Sequence, residues 1–194
     1  MENFALFADP WWVNLFILIP FIAFFWWRNK LDIAQRTLLL TGVFGTAFGF
    51  VEAAVVVYLR SATHYLTPHN GMLLNLVNFQ SFYQKPGAAG NLPAFLFSIE
   101  LYREAATLVM LLAITFLAAN SPRGRAAIFL FTFAFWDIFY YLFLWLTIRW
   151  PATLTTDDIL FFIPAPWIAQ VWYPLLISFL LLLAVILGNK KSKQ

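Results

Sequence analysis

Five apolar runs, at about 11–27, 38–59, 94–118, 126–148 and 167–187, alternate with short polar links along this chain. Crossing the hydrocarbon core of a bilayer takes about 20 apolar residues as a helix. The pattern therefore predicts an all-α, polytopic membrane bundle of five transmembrane helices, folded as a single integral membrane domain over residues 1–194. Two stretches between the runs break the rule. The 60–93 link mixes Leu73, Leu74, Val77 and Phe82 with Asn75, Asn78 and Gln80, which reads as an interfacial helix. The stretch 153–166 starts like a capped helix at Thr155-Thr156-Asp157-Asp158 and is cut by Pro164 and Pro166, which predicts a re-entrant or interfacial segment.

Within the runs, polar residues are few and placed on particular faces. The 11–27 run has tryptophan pairs at both ends, as interface anchors, and Pro20 is expected to kink it. The N-terminal residues lack the positive region of a signal peptide, so the first run reads as a retained span. In the second run Gly42, Gly45, Gly49 and Glu52 share one arc, so close helix packing there turns Glu52 into the bundle. The third run carries Glu100, Arg103, Glu104 and Thr107 on one face. The fourth carries Asp137, with Tyr140 and Tyr141 three and four residues on and expected to hydrogen-bond its carboxylate.

Composition supports this reading. The chain is 62% hydrophobic and 11% charged, against about 25% charged in an ordinary soluble domain. Net charge is +3, but its placement says more. With five spans, one side carries Arg28, Lys30, Arg36, Arg123, Arg125, Lys190, Lys191 and Lys193, and the other only Arg60, Lys85 and Arg149. The positive-inside rule then sets the N-terminus outside and the C-terminus in the cytoplasm of a cell (inner or plasma) membrane. Basic residues in links suit a lipid surface, not nucleic acid. The absence of cysteine excludes Fe–S clusters and thiolate chemistry. Haem fits poorly, because neither His64 nor His69 lies inside a span.

At 1.5 Å per residue, Glu52 and Glu100 lie about 9–11 Å below the outer surface, and Glu104 and Asp137 about 15–17 Å. Intramembrane charges are expensive, so the set Glu52, Glu100, Arg103, Glu104, Asp137, Tyr140 and Tyr141 forms the candidate catalytic site. Four acids exceed what Arg103 neutralises, which requires protonated carboxyls or a bound cation. A hard divalent cation (Mg, Mn or Ca) would take Glu52, Glu100, Glu104 and Asp137, with His64 or His69 as weaker additions.

Three functions accommodate the pattern besides a purely structural role in fixing helix register. The leading one is an intramembrane enzyme using acid/base or metal-assisted chemistry on an apolar or amphiphilic, lipid or isoprenoid-like substrate. The second is a proton- or cation-coupled transporter or channel. The third is a structural or quinone-binding subunit of a larger membrane complex. Expected partners are membrane lipids, with a homo-oligomer or larger complex open.

Overall fold

The computed structural model describes residues 4–28, 30–62 and 94–189. The expected interfacial helix of the 60–93 link, the metal candidates His64 and His69, and the side chain of Arg60 lie outside the described residues. Among the described residues the chain is mostly helical, with five α-helices, three of which are long and apolar enough to cross a membrane.

A 3-10 helix, Trp11–Leu18, runs directly into α1, Ile19–Trp27. The change of helix type falls where the sequence predicts a kink: Pro20 stands in the first turn of α1, where its missing N–H leaves no intrahelical bond unmade. Next come α2, Gln35–Ala62, α3, Ala94–Ala118, and α4, Pro122–Ile148. Helix α4 starts four residues earlier than its apolar run because Pro122 occupies its first turn and Ser121 caps it, accepting from the Gly124 N–H at 3.1 Å. Strands β1, Asp157–Phe161, and β2, Trp167–Gln170, then precede α5, Trp172–Gly188.

The hairpin corrects the sequence reading of 153–166 as a capped helical segment. Strands β1 and β2 pair antiparallel, Asp157 opposite Gln170 and Ile159 opposite Ile168. Pro164 and Pro166, which cannot donate to a ladder, sit in the connection between the strands, and the β-branched and aromatic residues flank it. Trp167 thus opens β2 rather than the last helix, and α5 starts at Trp172. Asp9 extends the ladder, exchanging backbone hydrogen bonds with Ile168 at 2.8 and 2.7 Å.

Helix α4 is the hub: α2, α3 and α5 all pack on it, and α1 packs on α5. The glycine arc does what its spacing predicts. A Cβ on Gly45 would lie 2.8 Å from the Thr132 carbonyl, and one on Gly49 would lie 2.8 Å from the Trp136 carbonyl. Only glycine allows α2 to come that close to the α4 backbone. Helix α3 is the outer wall, with just 22% of its apolar stretch buried and Tyr102, Val109 and Leu117 facing outward. Large apolar side chains turned outward along several helices are what a membrane-facing surface requires.

At the end bearing Arg28, Arg36, Arg123 and Arg125, the bundle is closed by packed apolar residues, including Trp27, Leu31, Ile128 and Val185. Trp27 is fully buried, unlike its exposed neighbour Trp26, and donates its indole N–H to the Ala184 carbonyl at 3.0 Å. It is a bolt between α1 and α5 rather than an interface anchor.

Candidate functional site

The site begins with the way the hairpin enters the bundle. Tyr141 on α4 touches Asp158 near the start of β1, while Phe161 at its end packs on Phe133 and Trp136. From Tyr141 back to Phe133 is about 12 Å of helix, and from Asp158 to Phe161 about 10 Å of strand. The two elements therefore run alongside one another, and the hairpin tip plunges between α3 and α4. There the Phe162 N–H meets the Glu104 carboxylate, 2.9 and 3.1 Å from its two oxygens.

Around this plug the polar residues fall into four groups. Arg103 joins two helices: its Nε and Nη2 donate to Glu100 Oε2 at 3.0 and 2.8 Å, and its Nη1 donates to Glu52 Oε2. The Thr107 hydroxyl lies 2.9 Å from Glu52 Oε1. Glu104 is held by the hairpin tip. Asp137 accepts from the Ser178 hydroxyl at 2.8 Å, tying α4 to α5. Asp158 accepts from the Tyr141 hydroxyl at 2.7 Å.

This last pair corrects an expectation. Tyr141 does not bond Asp137: a tyrosine hydroxyl stands at the far end of its ring and overshoots a short aspartate one turn away, whereas the inserted strand brings Asp158 to it. Tyr140 lines the same space, close enough to Arg103 to interact with its charge.

A cavity of about 350 Å³ joins the groups. Glu52, Glu104, Asp137, Asp158, Arg103, Thr107, Tyr140, Tyr141 and Ser178 line it, and its remaining walls are apolar, among them Phe16, Leu108, Phe129, Phe133, Trp136 and Leu181. Glu100 stands outside, behind Arg103. The acids of three helices thus reach one chamber with a fourth element contributing Asp158. Glu52, Glu100, Glu104 and Asp158 are all buried.

The metal expectation fares differently. Among the described residues, no group of three or more acids or histidines converges closely enough to hold an ion. The physical reason is visible at Glu52 and Glu100, where the Arg103 guanidinium takes the position between carboxylates that a cation would need.

Two contributors stand outside the site that the sequence pattern marks. Asp158, by position, resembles half of a helix N-terminal charge pair. In a strand, adjacent side chains point to opposite faces, so one of Asp157 and Asp158 has to turn inward once the segment is β. Ser178, a lone hydroxyl within the apolar last run, is the other; a polar side chain at that depth needs a partner, and it has Asp137.

No family model, curated protein or solved structure matches this chain. What the site can do rests on its own chemistry. The cation is fully engaged by two carboxylates, one on α2 and one on α3. Glu104, Asp137 and Asp158 have neutral donors in the hydrogen bonds described above, so they are the groups able to take up or give a proton without breaking an ion pair.

Proposed function

We propose that this protein is an intramembrane enzyme that moves protons on an apolar or amphiphilic substrate held in the α2–α3–α4–α5 cavity. The observation that carries the reading is the chamber itself, in which three carboxyls held by neutral donors share apolar walls with Tyr140 and Tyr141. Its volume falls within the range of about 300–1,000 Å³ common to ligand sites. Asp137 and Glu104 exchange protons with the substrate, one giving and the other receiving, as paired carboxyls in unlike environments do. Tyr141 and Asp158, hydrogen-bonded to one another, steady the charge that develops. Arg103 with Glu52 and Glu100 fixes α2 against α3 and keeps the chamber's shape.

The membrane frame of this proposal is a five-span bundle with its N-terminus outside and its C-terminus in the cytoplasm. The two short apolar helices support it by length. Eight residues of 3-10 helix rise about 16 Å at 2.0 Å each, and the nine residues of α1 add about 13 Å. Together they match a hydrocarbon core of about 30 Å. Arg28, Arg36, Arg123 and Arg125 gather at one end, as the positive-inside rule asks of a cytoplasmic face. Packed apolar residues close that same end, which favours a chamber for chemistry over a path for transport.

The test works without first identifying the substrate. Proteoliposomes made with a lipid extract of the source cells are incubated in water labelled with deuterium and oxygen-18. Proton transfer at carbon leaves deuterium at a non-exchangeable position of a membrane component, and hydrolysis leaves oxygen-18. Label that depends on the protein and disappears in Asp137→Asn supports the proposal. Absence of any protein-dependent label contradicts it.

A further inference from the structure

Strand β1 leaves one edge of the hairpin open. Ile168 of β2 exchanges both of its backbone hydrogen bonds with Asp9, so its N–H and C=O point away from β1. Its partner Ile159 therefore stands in a non-hydrogen-bonded pair, and the N–H and C=O of Ile159 point out of the opposite edge. Neither has a partner among the described residues. Past the bulge that follows Ile159, the Phe162 N–H turns out of the same edge and reaches Glu104 on α3. The edge thus looks across the chamber towards α3, and Ile159, which is partly exposed, lines that chamber beside Leu160 and Phe161. The adjacent Asp158 bonds Tyr141, about 10 Å along α4 from the helix end at Ile148. Non-helical backbone at such a depth persists only where it is buried in protein or lines a cavity, and an unanswered donor and acceptor there cost as much as lost hydrogen bonds.

We infer that the substrate of the chamber is an apolar peptide segment in extended form, which joins β1 as a third strand at Ile159. The inference rests on the reading of the chamber as a substrate site and adds the class of that substrate. The N–H and C=O of one strand residue lie on either side of its Cα, so answering both takes an acceptor and a donor set at a matching separation. A single residue of an antiparallel strand supplies them, from the two amides that flank its Cα. A lone ketone, ester or amide answers only one of the two. The side chains of the guest are apolar because Phe16, Leu108, Phe129 and Phe133 line the space around the edge.

The full chain in lipid nanodiscs is titrated with acetyl-Leu-Val-Leu-Val-Leu-amide and with the same peptide methylated at every peptide nitrogen. A net hydrogen bond corresponds to about a 2- to 10-fold change in affinity. Methylation strips the donor that the Ile159 C=O accepts, so the methylated peptide should bind more weakly by at least that factor. The carbon-13-labelled carbonyls of the bound, unmethylated peptide should absorb at the low-frequency amide I position of an extended strand. Ile159→Pro is the complementary change. Proline is tolerated on an edge strand because the N–H it lacks lies outside the ladder, so the hairpin should survive while peptide affinity falls about 2- to 10-fold. If that variant does not fold, an ester in place of the amide between Asp158 and Ile159 removes the same N–H, and the same loss is expected. The N-methylamide of a fatty acid, with its single amide, should not displace the peptide at equal concentration. Equal affinities for the two peptides, an undiminished affinity once the Ile159 N–H is gone, a helical amide I band or displacement by the fatty amide would each overturn the inference. Protein-dependent isotope label in lipids without any peptide binding would remove this inference alone. Peptide binding at Ile159 without label in peptide or lipid would remove the enzymatic reading and leave the strand site.

Discussion

Alanine in place of each glycine of the α2 arc tests how the site is positioned, because the three substitutions differ in sign. At Gly42 an added Cβ would meet the tip of the Phe135 ring at 3.3 Å, a side chain that can yield. At Gly45 it would meet the Thr132 carbonyl and the Phe135 Cβ, both at 2.8 Å, and at Gly49 the Trp136 carbonyl at 2.8 Å and the Tyr140 nitrogen at 2.9 Å. Backbone atoms of a helix cannot turn aside. Reaching an ordinary contact of 3.4 Å would require α2 and α4 to part by about 0.6 Å. Overpacking of this kind costs about 1–3 kcal/mol, against a helix-propensity gain of about 0.8–1 kcal/mol for replacing glycine with alanine. The net expectation is a loss of up to about 2 kcal/mol at Gly45 and Gly49, and a gain of up to about 1 kcal/mol at Gly42. Glu52 stands one turn beyond Gly49, so Gly49→Ala should also loosen the Glu52–Arg103 ion pair. Thermal unfolding of the purified protein in detergent, ranked across the three variants, is the assay. Equal effects at all three positions, or stabilisation by Gly49→Ala, would refute the close-approach argument.

Other consequences follow from the same contacts. Arg103→Met leaves Glu52 and Glu100 buried without their cation and should destabilise the fold by about 3–5 kcal/mol; adding Glu52→Gln and Glu100→Gln should recover most of that loss in the same unfolding assay, and no recovery would show that Arg103 acts through packing. Tyr141→Phe removes the hydroxyl that binds Asp158 and should cost about 0.5–1.5 kcal/mol, as for a typical net hydrogen bond. Hydrogen exchange at 159–161 should then rise selectively, whereas unchanged exchange would mean the pair does not anchor the hairpin. Gly188→Ala would drive a methyl group to 2.4 Å from the Trp27 ring. It should redden Trp27 fluorescence and lower the unfolding temperature, and an unaltered spectrum would contradict the bolt at the basic end.

Much of the framework is legible in the sequence because membranes impose few solutions. Apolar length marks α2, α3 and α4, the glycine period marks the face of α2, and lone charges in apolar runs mark Glu52, Arg103, Glu104 and Asp137. These signals are local, and the helix period carries them. What escapes is whatever depends on an element from far along the chain. Asp158 reaches Tyr141 only because 157–170 folds as a hairpin, and a run of five apolar residues ended by prolines does not by itself separate a short strand from a broken helix. Likewise, spacing along one helix pairs Tyr141 with Asp137, whereas its partner comes from another element. Position alone makes Trp27 an interface residue; Gly188, across the bundle, makes the slot that buries it.

The central claim is that Glu104, Asp137 and Asp158 face one apolar chamber and carry exchangeable protons there. An apolar carbodiimide reacts with protonated carboxyl groups in such surroundings, and peptide mass spectrometry locates the adducts. With the protein in lipid nanodiscs, adducts should form at Glu104, Asp137 or Asp158, and the same residues should be spared by a water-soluble carbodiimide. Glu52 and Glu100, both occupied by the Arg103 guanidinium, should stay unmodified by both. Labelling confined to Asp9, Asp32 and Asp157, or equal labelling of the Arg103-bound pair, would contradict the claim.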